Sequence, residues 1–585
     1  MGDIQNFEWK QPLLEEQARA TTLPTVALDD DDEEKRKQLR PLTPSLPLSQ
    51  PAADEETSYV DWLGRRALPS HGGWMAASFL LGSHCLQSLA LSGCTVNLVI
   101  FLVRKMQQKN SSAANVYTNW TGTSFLTSII GGAIGDAYWG RLWTSIFCQL
   151  VYIVGLIMFS LIGTIITAEN NLPQMLHVVL LYVALYTMGL GNASLTPNAV
   201  SLGADQFDLS NQSSTFISMS IASSAMGLMF STSIISYIEN EGQWRLGFWL
   251  SAGFGVMGLL LFLAGMPKMR QHKAGENPLF CIGRVLYACI CSQKSDRLSS
   301  PKEFNKRGTN FRWLDKASTL KQHHMCTLQQ VQAVKGICFL LPFWVCGIIV
   351  ASVLAQKSTL FMLQGDTMEN LLWGNIRFPP GSMSLFSLIM VVMCTPAYTI
   401  LIEPYARRYN RGNSSIVRMG SGLIIAIILF CIAAIIEARR LKISHIGEES
   451  LTDGTKVSMS IFWLVPQYVL DGLITALWGC GHLEFNYIYA PQGMRSLATA
   501  LSLSDLALGN YLSSLLLGAV TTFTSWIPDD LNHGHLDYFY WLLAGLLVID
   551  LILFVVASKW VVSTSKQLWF EGHPGHDVQE VDLLA

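Results

Sequence analysis

Twelve stretches of about twenty apolar residues, six on each side of one long basic loop at Pro267–Val334, constrain this chain more than any other feature. Each is long enough to cross roughly 30 Å of hydrocarbon as a helix, the form that satisfies its own backbone hydrogen bonds in lipid. The spans read as Trp74–Val103, Val116–Gly135, Leu142–Ile166, Leu176–Leu195, Thr215–Tyr237, Leu246–Met266, Lys335–Leu354, Ser382–Ile402, Met419–Ala438, Ser460–Tyr487, Ala498–Phe523 and Tyr538–Trp560. An all-α polytopic membrane protein with the lipid bilayer as its solvent is therefore expected.

Hydrophobic residues make up 50% of the chain and charged ones 14%, against an ordinary soluble share of about 25%. A net charge of -3 gives no nucleic-acid partner. The twelve cysteines are scattered, mostly inside apolar spans, without metal-ligand spacing. No nucleophile with its base, phosphate loop or metal cluster stands out, so neither an enzyme nor a bound cofactor or metal is expected.

Basic residues crowd the 267–334 loop, from Lys268 and Arg270 to Lys316 and Lys321, and on the same side stand Arg141, Arg407, Arg408, Arg411, Arg418 and Arg495. That side is cytoplasmic by the positive-inside rule, and with an even number of spans both termini join it. Arg104, Lys105, Lys109, Arg439, Arg440 and Lys442 are the smaller set opposite. Residues 1–70 are polar, with an acidic block at Asp29–Glu34, and cannot bury enough apolar surface to fold, so a disordered cytoplasmic tail is expected. Within it, Leu13 and Leu14 followed by Glu15 and Glu16 form a loose dileucine pattern for sorting machinery, beside the plainer reading of solvated tail.

Several ordered segments carry a family likeness: Gly132-Ala-Ile-Gly-Asp136-Ala-Tyr-Trp-Gly140-Arg141, Gly203-Ala-Asp-Gln-Phe-Asp208, Leu483-Glu-Phe, Met494-Arg-Ser-Leu497 and Leu508-Gly-Asn-Tyr511 among them. From His71 to Trp560 the chain resembles the plant nitrate and peptide transporter family, a branch of the proton-dependent oligopeptide transporters within the major facilitator superfamily. The resemblance implies a major facilitator fold of 12 transmembrane helices in two six-helix bundles at 71–266 and 335–562. A linker at 267–334 with an interfacial helix over Glu276–Ser292 would join them, and a cytoplasmic tail at 563–585 would follow. It also implies a small-molecule or ion substrate moved by alternating access, in the plasma membrane or the vacuolar membrane.

The family keeps charged machinery where this chain does not. Its span-one pattern E-x-x-E-R is here His84-Cys85-Leu86-Gln87-Ser88, its span-four lysine is Thr196, and its span-ten glutamate falls at Thr475 or beside it. The nitrate-binding histidine known in part of the family corresponds to Leu354. Losing the whole set avoids stranding any one partner, a penalty of roughly 3–5 kcal/mol for a broken buried pair, so the site reads as coherently neutralised. Candidates for the substrate or proton path are His84 with Gln87 and Ser88 on one helical face, Thr196, Trp344, Lys357, Asp471 and Thr475. For His84 the alternative is a neutral ring bonded between helices, for Asp471 an interhelical contact, and for Lys357 a side chain reaching to water. Gate candidates are Asp136, Arg141, Lys335 and Glu484.

The expected function is secondary-active or facilitative transport of nitrate, a small organic anion, or an amphipathic plant metabolite or hormone, with altered or absent proton coupling. Ordinary peptides fit poorly, because their two termini need opposite charges in the site. The alternative from another class is a transporter-like membrane sensor or accessory protein without sustained transport.

Overall fold

The computed structural model describes residues 59–68, 70–107, 110–167, 173–272, 277–295, 314, 326–373, 376–378, 380–410, 414–446, 457–528 and 531–572. Leu13, Leu14, the acidic block and most of the basic loop lie outside them.

Among the described residues eleven helices are long and apolar enough to cross a membrane. Numbered by the expected spans, they are span one Gly73–Arg104, three Gly140–Thr167, four Met175–Ala204, five Asn211–Glu239 and six Trp244–Lys268 in the first half. The second half holds seven Gln330–Ala355, eight Pro380–Ala406, nine Ser414–Ser444, ten Ile461–Tyr489, eleven Arg495–Phe523 and twelve Leu536–Val561. Span two is a 28-residue helix, Asn110–Ala137, but falls short in apolarity. The reason is its position, packed against spans four and eleven. Hydroxyls on this face bond carbonyls, as Ser128 does to Ala500 at 3.2 Å, instead of meeting lipid.

Spans one to six pack on one another and spans seven to twelve likewise, while span two along eleven, five along eight and four against eleven join the halves. The first half is centred on Phe101, Phe159 and Phe248, with Phe248 edge-on to the other two at 5.2 and 4.9 Å. In the second half, Phe343 meets Phe485 at 4.4 Å and Phe554 at 5.4 Å. Such rings combine large buried area with preferred tilted geometry. Leu483 and Tyr487 of span ten pack into the first half's cluster with Ile217. Apolar packing therefore reinforces the junction between the halves at this end.

Two boundaries differ from the polarity reading. Tyr59–Val60 forms an antiparallel ribbon with Gln271–His272, so the expected tail at 1–70 ends in ordered chain. The cause is a specific anchor: Arg270 lies over the Tyr59 ring at 4.3 Å, and that cation–π contact compensates for ordering a polar segment. The last helix runs Leu536–Gly572, past 562. In the linker a helix spans Pro278–Ser295 and packs Cys281, Val285 and Ala288 against Val331, Val334 and Met494.

Among the described residues four π turns widen the spans: Ser231–Ile235 in five, Lys357–Phe361 after seven, Tyr398–Ile402 in eight and Thr475–Gly479 in ten. Such turns leave carbonyls short of their usual partners and occur often at functional sites. Two of them hold the candidates Lys357 and Thr475.

Candidate functional site

The turn between spans two and three begins the site. Gly140 adopts φ +74°, a left-handed conformation that suits glycine, and directs the chain straight into span three. Leu142 N–H there donates to Gln271 Oε1 at 3.1 Å, capping the helix from the ribbon. The same turn brings Arg141 Nε to an Asp136 oxygen at 3.0 Å. Arg141 Nη1 donates to the carboxylate of Asp205, just past the end of span four.

Asp205 gathers groups from both halves. Tyr487 Oη donates to it at 2.6 Å and Arg495 Nη1 at 3.1 Å. The second Asp136 oxygen accepts from the Leu497 backbone N–H at 3.0 Å, at the start of span eleven. Burial alone would raise the Asp205 carboxyl, but Arg141, His272 and Arg495 outweigh it and hold it below the usual carboxylate range. Burial is also the main cause that keeps the His272 imidazole below its ordinary value, against the pull of Asp205. Asp136 and Arg141, both expected at a gate, are thus brought together, and the bonds of Tyr487, Arg495 and Leu497 cross between halves. Gly132 allows this approach, because a Cβ there would collide with the Ser496 carbonyl of span eleven.

A second crossing lies deeper. Arg418 of span nine is 2% exposed and donates from Nη1 to Ser218 of span five at 2.9 Å, within 3.4 Å of Glu484. Its Nη2 donates to the Ala476 carbonyl in the π turn of span ten at 2.8 Å, and its plane covers the Tyr398 ring at 4.3 Å. Glu484, a gate candidate, is the counter-ion of this arginine. Ser201 of span four and Thr499 of span eleven add a hydroxyl contact at 3.1 Å. Lys335 is half-buried at the start of span seven.

The span-one candidates separate. His84 is half-buried, and Ser88 shares a hydroxyl contact with Ser224 of span five at 2.7 Å. Gln87 turns away from that face: its amide donates to Ser83 at 2.8 Å, and Ser83 in turn donates to the Gly258 carbonyl of span six. Gln87 lies about 100° round the helix from Ser88, so the two bond toward different neighbours, Ser83 and span six for Gln87 and span five for Ser88. Thr196 bonds its own helix at Asn192 O, 3.0 Å away.

In the second half, Asp471 is 3% exposed and engaged on both oxygens. Lys357 Nζ donates at 2.6 Å and Ser387 Oγ at 2.6 Å. The Lys357 side chain is 34% exposed, so it joins the buried acid to open space. Thr475 donates to the Asp471 carbonyl at 3.1 Å, one turn along the same face. Trp344 donates its indole N–H to Ser504 at 3.0 Å. Among the described residues no group of three or more metal-ligating side chains occurs.

Sequence reasoning missed Asp205, Arg418 and Arg495 as site residues. Asp205 lies in the Gly203–Asp208 segment that carried the family likeness, and a charged residue at the end of an apolar span was the available signal.

Two helical bundles with ionic clusters across their junction define a polytopic membrane transporter of the major facilitator fold. The PTR2 pattern, that of the POT family, matches residues 142–532. NRT1/PTR family protein 7.3 of Arabidopsis thaliana is 35% identical over 572 residues, covering 87% of this chain and 92% of that relative. Family protein 8.1 of the same plant is 34% identical over 535 residues, covering 83% and 94%. The crystal structure of the POT family transporter PepTSo shares the fold, with a TM-score of 0.59 at 17% identity over 83% of this chain and 98% of that one. The chain belongs to the POT family, in its plant NRT1/PTR branch.

Proposed function

We propose that this protein moves a small anionic solute, nitrate or a small organic anion or an amphipathic plant metabolite or hormone bearing one, by alternating access. The observation that carries this reading is the Asp205 cluster, whose bonds from Tyr487 and Arg495 join the two halves at one end. Such bonds form when that end closes and break when it opens, which is the behaviour of a gate. Asp136, Arg141, Arg495 and the Glu484–Arg418 pair serve that gate.

Lys357 supports the anionic substrate. It is the partly exposed cation of the Lys357–Asp471 pair, so it can turn from the acid to a solute without leaving its helix. Span one, by contrast, offers neutral polar groups such as Ser88, in contact with Ser224 of span five, and a half-buried His84. Proton coupling is accordingly altered from the acid-bearing pattern of the family. The gate end is cytoplasmic, as the basic loop and Arg141 support.

The purified protein in liposomes, assayed for uptake and current with nitrate, potassium, small organic acids, hormones and dipeptides at two pH values, tests this. Uptake of one or more anions, with dipeptides and potassium excluded, is expected. Saturable anion binding without uptake would instead identify a sensor, and uptake of dipeptides alone would remove the role given to Lys357.

A further inference from the structure

Spans seven, ten and eleven enclose a polar site that the gate does not use. His482 Nδ1 and an Asp505 oxygen are 3.2 Å apart, and the two residues are 4% and 2% exposed. Gly347 of span seven closes over them, since a Cβ there would run into the carboxylate and approach the imidazole. Trp478, one turn earlier on span ten, stacks on the His482 ring at 5.7 Å between centroids and 24° between planes. Asn486 donates to the His482 backbone carbonyl at 2.9 Å, not to the ring. The other ring nitrogen, Nε2, is buried without a hydrogen-bond partner.

An acid at membrane depth needs a cation, a proton or water. Neighbouring ionisable groups do not supply the cation. Glu484 on span ten belongs with Arg418 of span nine. Span ten also carries Cys480, span seven carries Cys346, and span twelve presents Asp550 towards Cys346. Among the described residues His482 is the ionic partner of Asp505.

We propose that His482 and Asp505 form the proton-binding dyad of this transporter. The proposal rests on the transport reading and supplies the coupling ion's site. In the unloaded dyad, Nδ1–H donates to the ionised carboxylate, Nε2 keeps its lone pair, and the pair carries one negative charge. A proton from hydronium forms the Nε2–H bond and leaves a water molecule behind. The dyad then has no net charge as imidazolium and carboxylate. Transfer of the Nε2 proton to water on the other side restores the first state. The loaded form is the cheaper one in a low-dielectric interior, so loading favours the conformer in which the three spans stay closed round the site.

The test uses the full chain in liposomes and reads tryptophan fluorescence against pH, because imidazolium quenches a stacked indole. Wild type minus His482→Gln should show a single-proton step. That step should be lost in Trp478→Phe and move to lower pH in Asp505→Asn, where imidazolium lacks its anion. Stimulation of uptake by an imposed proton gradient should be lost in His482→Gln and in Asp505→Asn. The same titration in all variants, or gradient stimulation kept by both, overturns the dyad. If one variant does not fold, the other two carry the same decision. Wild-type uptake without the titration step overturns the dyad alone, whereas titration without uptake of any solute overturns the transport reading and the coupling assigned to it.

Discussion

Lys357→Ala should abolish anion uptake and destabilise the protein, while Asp471→Asn should do neither. The asymmetry follows from burial. Asp471 is 3% exposed and the Lys357 side chain 34%. Removing the lysine leaves a buried carboxylate with only Ser387 as donor, which costs roughly 3–5 kcal/mol by comparison with broken buried pairs. Removing the acid's charge leaves a lysine that already reaches open space, so its cost is on the order of 1 kcal/mol or less. Asp471→Asn also takes away an internal competitor for the ammonium, and anion affinity should rise. The double variant Lys357→Ala with Asp471→Asn should recover stability without recovering binding. Thermal melting and anion binding on the four proteins would show this, and equal losses from the two single changes would mean that the pair is a structural tie only.

Asp205→Asn should lower turnover more strongly than any change at the span-one candidates, through two separable effects. Arg141 loses a buried counter-ion within its own half, a cost of about 3–5 kcal/mol that both conformers share. In the proposed gate, the bonds from Tyr487 and Arg495 hold only while this end is closed. Charge-assisted hydrogen bonds contribute about 1.5–3 kcal/mol each, so losing both shifts the closed-to-open ratio by roughly a hundredfold or more. Tyr487→Phe combined with Arg495→Gln removes the second effect and spares the first. Solute exchange and melting temperature measured on both proteins separate them. A double variant as unstable as Asp205→Asn, but with normal turnover, would make this cluster a scaffold.

The sequence exposed the parts of this machinery that are local in the chain. Asp136 and Arg141 were legible as gate candidates at one turn because five positions and a glycine turn separate them. Asp205 was not, because its partners across the junction, Tyr487 and Arg495, lie 282 and 290 positions away. Lys357 and Asp471 were both singled out as candidates for the substrate or proton path, yet their pairing across 114 positions depends on how spans seven and ten pack. Composition also understated span two, whose polar residues face other helices rather than lipid. Hydrophobicity reports the lipid-facing surface, and the site lies on surfaces that face protein.

The most direct measurement is the distance between the halves at the gate end. Leu209, 62% exposed before span five, and Gly493, exposed before span eleven, are suitable for spin labels attached through unnatural amino acids. In liposomes the wild-type chain should give a short-distance population that Tyr487→Phe with Arg495→Gln converts largely to a longer one. A single distance, identical in the two proteins, would contradict a gate held by the Asp205 cluster.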